Sequence, residues 1–247
     1  MTFTSLFPTV VYTTNLNPSE QITSEMLSYF EAYILNNDSN NANLTGDVTG
    51  DFQIANQRQF SWLNRQVVKH CADYLSHFGV DTNLLTLYSS KSWPVVCHED
   101  GGSVAKHNHP NSHLSVVFYL QSDINSGGEL AVYANRTNPT LTIPMNCFIP
   151  MELKNHGCHF FEPMVNQMII FPSKLYHEVL EYTGKVKRYS VTYDIVLTGK
   201  KKHNMDYEEG LIHPDLWVNL YVCLLYTSPS PRDQRGSGVA GWGVKKK

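Results

Sequence analysis

The sequence predicts a mainly β protein, a sandwich or barrel braced by helices near its N-terminal end. Two observations carry this. Beyond residue 80 the chain breaks into short β-branched and aromatic runs separated by Gly, Asn and Pro turns, whereas two earlier stretches repeat apolar residues at helical spacing. A third observation, the lack of an internal repeat or linker within residues 1–222, makes that portion a single domain. With 42% hydrophobic and 17% charged residues among 247, a core of ordinary size is expected and global disorder is excluded.

The elements follow in order. Residues 6–16 (LFPTVVYTTNL) read as an opening strand. Asn17 before Pro18, with Glu20 three residues on, reads as a helix start, and Ile22, Met26, Phe30, Tyr33 and Ile34 extend an amphipathic helix over 18–36. Residues 37–51, rich in Asn, Asp, Ser and Gly, form a loop. A second helix spans about 60–78 on the stripe Leu63, Val67, Cys71, Tyr74, Leu75 and Phe78, and Gly79 stops it. Strands are expected at 84–89, 93–98, 114–120, 129–134, 140–143, 147–151, 167–171, 178–181 and 186–197. Residues 1–80 thus form a support region, 81–200 the core of the same domain, and 201–222 an extension.

The last segment differs. Residues 223–233 (CLLYTSPSPRD) resemble the in-frame translation of a transposase-type sequencing adapter, and the Gly-rich, Lys-ending stretch to residue 247 reads as a non-native tail. On that reading the natural C-terminus lies elsewhere. The tail carries five basic residues and one acidic, +4, so the overall −3 leaves −7 on residues 1–222. So acidic a body disfavours nucleic acid as a partner. No run reaches the ~18 apolar residues of a membrane span, and the N-terminus lacks the basic and apolar regions of a signal peptide. Five widely spaced cysteines without a CxxC pair fit a reducing cytoplasm better than a disulfide framework or zinc ribbon.

The chemistry gathers in KHNHPNSHLSVVFYL, residues 106–120. His107 and His109 stand two apart, so extended backbone aims both imidazoles to one face, a chelating pair for Fe, Zn, Cu or Ni. His113 follows four residues later. Seventy residues after His107, MIIFPSKLYH delivers His177 behind an apolar strand. Arg188 and Ser190 then share a strand face, and a guanidinium beside a hydroxyl seats a carboxylate. An isolated HxH or a lone strand Arg is commonly just surface or core. Their conjunction in a β-rich chain reads as one metal site beside one anion site.

These residues resemble the iron(II)- and 2-oxoglutarate-dependent oxygenases, in a prolyl-hydroxylase-like branch with a His-x-His-Pro-x-Ser-x-Leu-Ser pattern, often met in phage and marine bacterial sequences. Residues 107–120, the segment FPSKLYH ending at His177, Arg188-x-Ser190 and the opening LFPTVVY carry the likeness over roughly 6–198. The resemblance implies a double-stranded β-helix, or jelly roll, with Fe(II) held by His107, His109 and His177. It implies 2-oxoglutarate held at its far carboxylate by Arg188, Ser190 and the Tyr119 hydroxyl, with a core aromatic as the plainer role for Tyr119. With O2, the implied reaction hydroxylates a small molecule or protein side chain and releases succinate and CO2.

One departure bears on the metal. The wider superfamily has a carboxylate where this chain has His109, so three neutral ligands would leave the site one negative charge short. Ligation by His109 is preferred; otherwise water or a carboxylate such as Glu99 or Asp100 completes the shell. The stretch 134–161 reads as an insertion, in which His156, Cys158 and His159 are a loop with incidental ligands rather than a second metal site. Trp93 reads as structural. Two rivals remain. A cupin-type metal enzyme matches Gly101-x5-His107-x-His109 but fails at His113, where Glu is expected, and at Pro172-Ser-Lys, and leaves Arg188 without a role. An inactive jelly-roll binding module requires the whole constellation to be coincidental.

Overall fold

The computed structural model describes residues 9–36, 53–99, 101–134, 157–200 and 212–218. Two compact units are present, residues 1–198 and 199–247. The first holds the site. In the second, the described residues form a single short 3-10 turn, Pro214–Leu216, capped by His213. The expected strands at 140–143 and 147–151, the loop 37–51, His156 and the 223–247 tail lie outside the described residues.

The first unit is mainly β, as expected. Strands β1 (Tyr12–Asn15), β7 (Gln167–Pro172), β4 (Leu114–Gln121), β9 (Arg188–Gly199) and β2 (Leu85–Cys97) form a five-stranded sheet in that order. Strands β3 (Gly102–His107), β8 (His177–Tyr182), β5 (Leu130–Tyr133) and β6 (Cys158–Phe161) form a four-stranded one. Every pairing resolved between neighbours is antiparallel. This is the two-sheet jelly-roll arrangement.

Pleat alternation sorts the side chains into two cores. From β4, Val116, Phe118 and Leu120 join Met168 and Ile170 of β7 against Met26 and Phe30 of helix α1 (Glu20–Asn36) and Leu63, Val67 and Cys71 of helix α2 (Ser61–His77). The alternate residues Val117, Tyr119, Ile169 and Phe171 point the other way and meet Leu130 and Val132 between the sheets. The helices therefore brace the five-stranded sheet from outside and leave the space between the sheets for chemistry.

Several local expectations shift. Ser19, not Asn17, caps α1: its Oγ accepts from the Ile22 amide at 3.4 Å and its carbonyl from Thr23. Phe78 falls just past α2 and is 53% exposed, so the buried stripe ends at Leu75. The strands expected at 84–89 and 93–98 are one, β2, because its polar middle is stitched from outside. Gln53 Nε2 donates to the carbonyls of Ser89 and Ser90, and Ser92 Oγ accepts from the Ala55 amide. Strands β3 and β6 had no place in the sequence reading. The first lacks strong strand formers and pairs with β8 through two register shifts; the second lies inside the stretch read as an insertion.

Candidate active site

His107 closes β3 and His177 opens β8, and the two are direct cross-strand partners. Pleat direction turns both rings into the space between the sheets, with centroids 4.4 Å apart. His109 lies two residues past the end of β3, so a loop rather than continued strand delivers it. That loop is fastened at both ends: the His109 amide donates to Ser173 O at 2.9 Å, and the Ser173 amide to His113 O at 3.0 Å. His113 itself is a latch outside the cluster. Its amide donates to Ile195 O, and its Nδ1 accepts from the Leu197 amide at 3.1 Å.

The three imidazoles each offer a ligand atom within 4.8 Å of the others. Each Nδ1 meets an oxygen: Ala105 O at 2.7 Å for His107, Leu175 O at 2.9 Å for His177, and Asp194 Oδ2 at 3.2 Å for His109. A carbonyl can only accept, so in His107 and His177 the proton sits on Nδ1 and the Nε2 lone pair is left for a metal. His109 Nε2 is buried with no hydrogen-bond partner. An orphaned buried nitrogen between two other imidazoles fits a divalent transition metal. Among the described residues this is the one cluster of metal-binding type. Of the remote carboxylates considered, Glu99 is exposed and outside the cluster, and Asp100 lies outside the described residues.

Across the cavity, Arg188 is fully buried yet faces no carboxylate. Its Nη1 donates to Cys97 Sγ at 3.3 Å, its guanidinium lies 4.9 Å from the Tyr119 ring centre, and its Nε has no partner of normal geometry. The equally buried Tyr119 hydroxyl also lacks one, and burial raises its pKa. Tyr119 and Ser190 are cross-strand partners. A buried cation beside unsatisfied donors is costly unless an anion arrives, so the chemistry of this donor set suits a carboxylate. Gly128, with φ +72°, keeps the turn before β5 close: a Cβ there would stand 3.2 Å from Arg188 Cδ.

The histidines and Arg188 line one cavity of about 410 Å³, with Trp93, Val95, Val104, Val179, Ser190 and Thr192 among its other walls. Trp93, read from sequence as structural, is such a wall, its ring centre 5.6 Å from that of His109. Asp194 was missed altogether. The available signal was the alternation in β9: Arg188, Ser190, Thr192 and Asp194 are polar while Tyr189, Val191, Tyr193 and Ile195 pack toward the helices. Cys158 and His159 sit in β6, and neither belongs to the histidine cluster.

Burial, assisted by neighbouring positive charge, pushes His109 down to about 3; burial likewise brings His177 down to about 4. Burial raises Asp194 to about 6. The consequence for the metal-free protein has a definite sign. An unfolded histidine takes up its proton below about 6.5, and these two refuse it when folded, so their contribution to stability is lost as pH falls. Asp194 opposes this, since its folded form binds a proton near pH 6 and its unfolded form only near 3.8. From these three groups alone the unfolded state holds about one proton more between pH 6 and 4, a fall of about 1.4 kcal/mol per pH unit, and His70 and His113, which burial also lowers, act in the same direction. A series of urea melts on metal-free protein checks this; a flat profile over that window would contradict it.

The sequence profile of the family described as "Putative 2OG-Fe(II) oxygenase" matches residues 91–194. Among solved structures, AviO1 from Streptomyces viridochromogenes Tue57 aligns over 76% of this chain and 90% of its own, at 10% identity and a TM-score of 0.52. HygX from Streptomyces hygroscopicus, solved with nickel and 2-oxoglutarate bound, aligns over 78% and 83%, at 9% identity and 0.50. A prolyl-4-hydroxylase from Pseudomonas putida aligns over 75% and 86%, at 13% identity and 0.46. No curated protein matches. No helix among the described residues is long and apolar enough to cross a membrane.

Proposed function

We propose that the chain, whose residues 91–194 match the profile described as "Putative 2OG-Fe(II) oxygenase", is such an oxygenase and hydroxylates a small molecule or a protein side chain, with His107, His109 and His177 holding iron and Arg188 holding 2-oxoglutarate. The observation that carries this reading is the buried, carboxylate-free Arg188 facing the same cavity as the three imidazoles. A cupin-type enzyme leaves that cation without purpose.

When bound, Fe(II) with 2-oxoglutarate and O2 supplies oxidative decarboxylation of the cosubstrate to succinate and CO2, one oxygen atom going to succinate and the other into a substrate C–H bond. The chain's own tasks are simpler. Ala105 O and Leu175 O fix the Nδ1–H tautomers of His107 and His177 and so aim their Nε2 lone pairs. Arg188, with Ser190 and the Tyr119 hydroxyl, takes the distal carboxylate of 2-oxoglutarate as a charge-assisted hydrogen-bonded pair in a water-poor pocket. Trp93, Val95, Val104 and Val179 present carbon to the remaining space and exclude water there. A walled cavity of this kind suits a single small molecule or one protruding side chain. The −7 charge on residues 1–222 argues against a nucleic-acid polymer, and buried free thiols at Cys71 and Cys97 suit the cytoplasm.

The test is anaerobic addition of Fe(II) and then 2-oxoglutarate to the protein. A weak visible charge-transfer band that needs both additions is expected. A folded protein that binds metal but gives no band would move the reading to the cupin class.

A further inference from the structure

Three imidazoles bring no charge to a divalent ion, whereas a site with two imidazoles and a carboxylate brings one negative charge. A carboxylate in contact with this cluster, Asp194, is not among the ligand atoms. Asp194 is 6% exposed, and its Oδ2 stands 3.2 Å from His109 Nδ1, on the opposite side of that ring from the orphaned Nε2. Its other oxygen, Oδ1, accepts from Ser115 Oγ at 3.1 Å, and Ser115 Oγ lies 3.0 Å from Ser173 Oγ. Ser115 is the cross-strand partner of Asp194 in the β4–β9 ladder, so the carboxylate is held by the sheet and not by a mobile loop. Ser173 also receives the His109 amide at its carbonyl. One connected set thus holds the backbone of His109 and stands a carboxylate beside its ring.

We propose that Asp194 supplies, through His109, the negative charge that a carboxylate ligand would otherwise bring to the metal. Resting on the reading of His107, His109 and His177 as iron ligands, this makes Asp194 a positioning residue, acting from behind the ring. With a metal held at Nε2, the Nδ1 side of the His109 ring would be the more positive, and the Asp194 carboxylate standing there would offset that charge. The ligand set then carries the charge of two imidazoles and a carboxylate while its donor atoms remain three nitrogens. Second-layer acceptors of this kind change metal affinity by about 10–100-fold.

The experiment titrates the metal-free protein with Co(II) under competition from a chelator, in wild type and in the variants Asp194→Asn, Ser115→Ala, His109→Asp and His109→Asp/Asp194→Asn. Asp194→Asn keeps shape and removes charge, and is expected to weaken Co(II) binding about 10–100-fold. Ser115→Ala, which loosens the carboxylate without removing it, is expected to cost no more than about threefold. With a carboxylate already at position 109, adding Asp194→Asn is expected to change nothing, because no imidazole remains to relay the charge. Co(II) affinity in Asp194→Asn within twofold of wild type would overturn the proposal and leave the three-histidine site standing. An equal loss in both backgrounds would also overturn it, since Asp194 would then act through packing. A His109→Ala control that binds Co(II) as wild type does would instead overturn the ligand reading itself.

Discussion

Replacing Arg188 with methionine is expected to abolish 2-oxoglutarate binding while metal binding persists and the metal-free protein becomes more stable. These three effects come from one cause. The guanidinium is fully buried with a thiol and an aromatic ring for company, so without an anion it is an uncompensated charge in a low-dielectric site. Methionine fills a similar volume and carries no charge, which removes that cost. For the cosubstrate the sign reverses. Taking one partner out of a buried charge pair costs about 3–5 kcal/mol, a factor of about 100 to several thousand in affinity. Titration of metal-loaded protein with 2-oxoglutarate, alongside a denaturant melt of metal-free protein, checks both halves. Binding retained within tenfold would remove Arg188 from the carboxylate seat. Arg188→Lys is expected to recover only part of the loss, because an ammonium lacks the planar fork that meets a carboxylate with two parallel hydrogen bonds.

Replacing His177 with alanine is expected to remove metal binding and, with it, any effect of 2-oxoglutarate on the visible spectrum. Second-layer changes around a metal-binding histidine already cost about 10–100-fold, and loss of the ligand itself is expected to exceed that. His177 is the most buried of the three imidazoles, fixed by Leu175 O behind it and packed at 5.0 Å against the Phe171 ring. No other described side chain stands ready to replace it in the cluster. Anaerobic Fe(II) titration gives the measurement; an affinity within tenfold of wild type would show that the cluster is not the iron site. The two substitutions separate the two halves of the cavity. His177→Ala loses both the metal and the cosubstrate signal, whereas Arg188→Met loses only the second.

The histidines and the arginine were legible in sequence because each belongs to a short pattern: HxH, a distal His behind an apolar strand, Arg-x-Ser. The helices were legible because burial on one side imposes a period of 3.6 on residues such as Leu63, Val67, Cys71 and Tyr74. What stayed hidden depends on partners far along the chain. Strand β3 exists because β8 pairs with it, since Ser103, Ala105 and Lys106 by themselves have little preference for a strand. The continuity of β2 depends on Gln53 and Ala55, more than thirty residues upstream. Asp194 is 85 residues from the histidine it supports, and in sequence it reads as an ordinary acidic residue. Trp93 looked structural because a large apolar side chain gives no indication of whether it faces a core or a cavity wall.

The polar row of β9 carries Arg188, Ser190, Thr192 and Asp194 on one face and the helix-facing core on the other. Both faces are read from the same pleat, which keeps its phase for as long as residues are neither added nor lost. A substitution in this strand damages one contact. An in-frame insertion or deletion of one codon between Arg188 and Asp194 exchanges the faces for everything on one side of it, sending charged groups into the packed layer and aromatic rings into the cavity. In heredity, then, a spelling error in this segment costs one contact at a time, whereas a change of length costs both faces at once, and length variation among descendants of this gene belongs in the turns that join the strands.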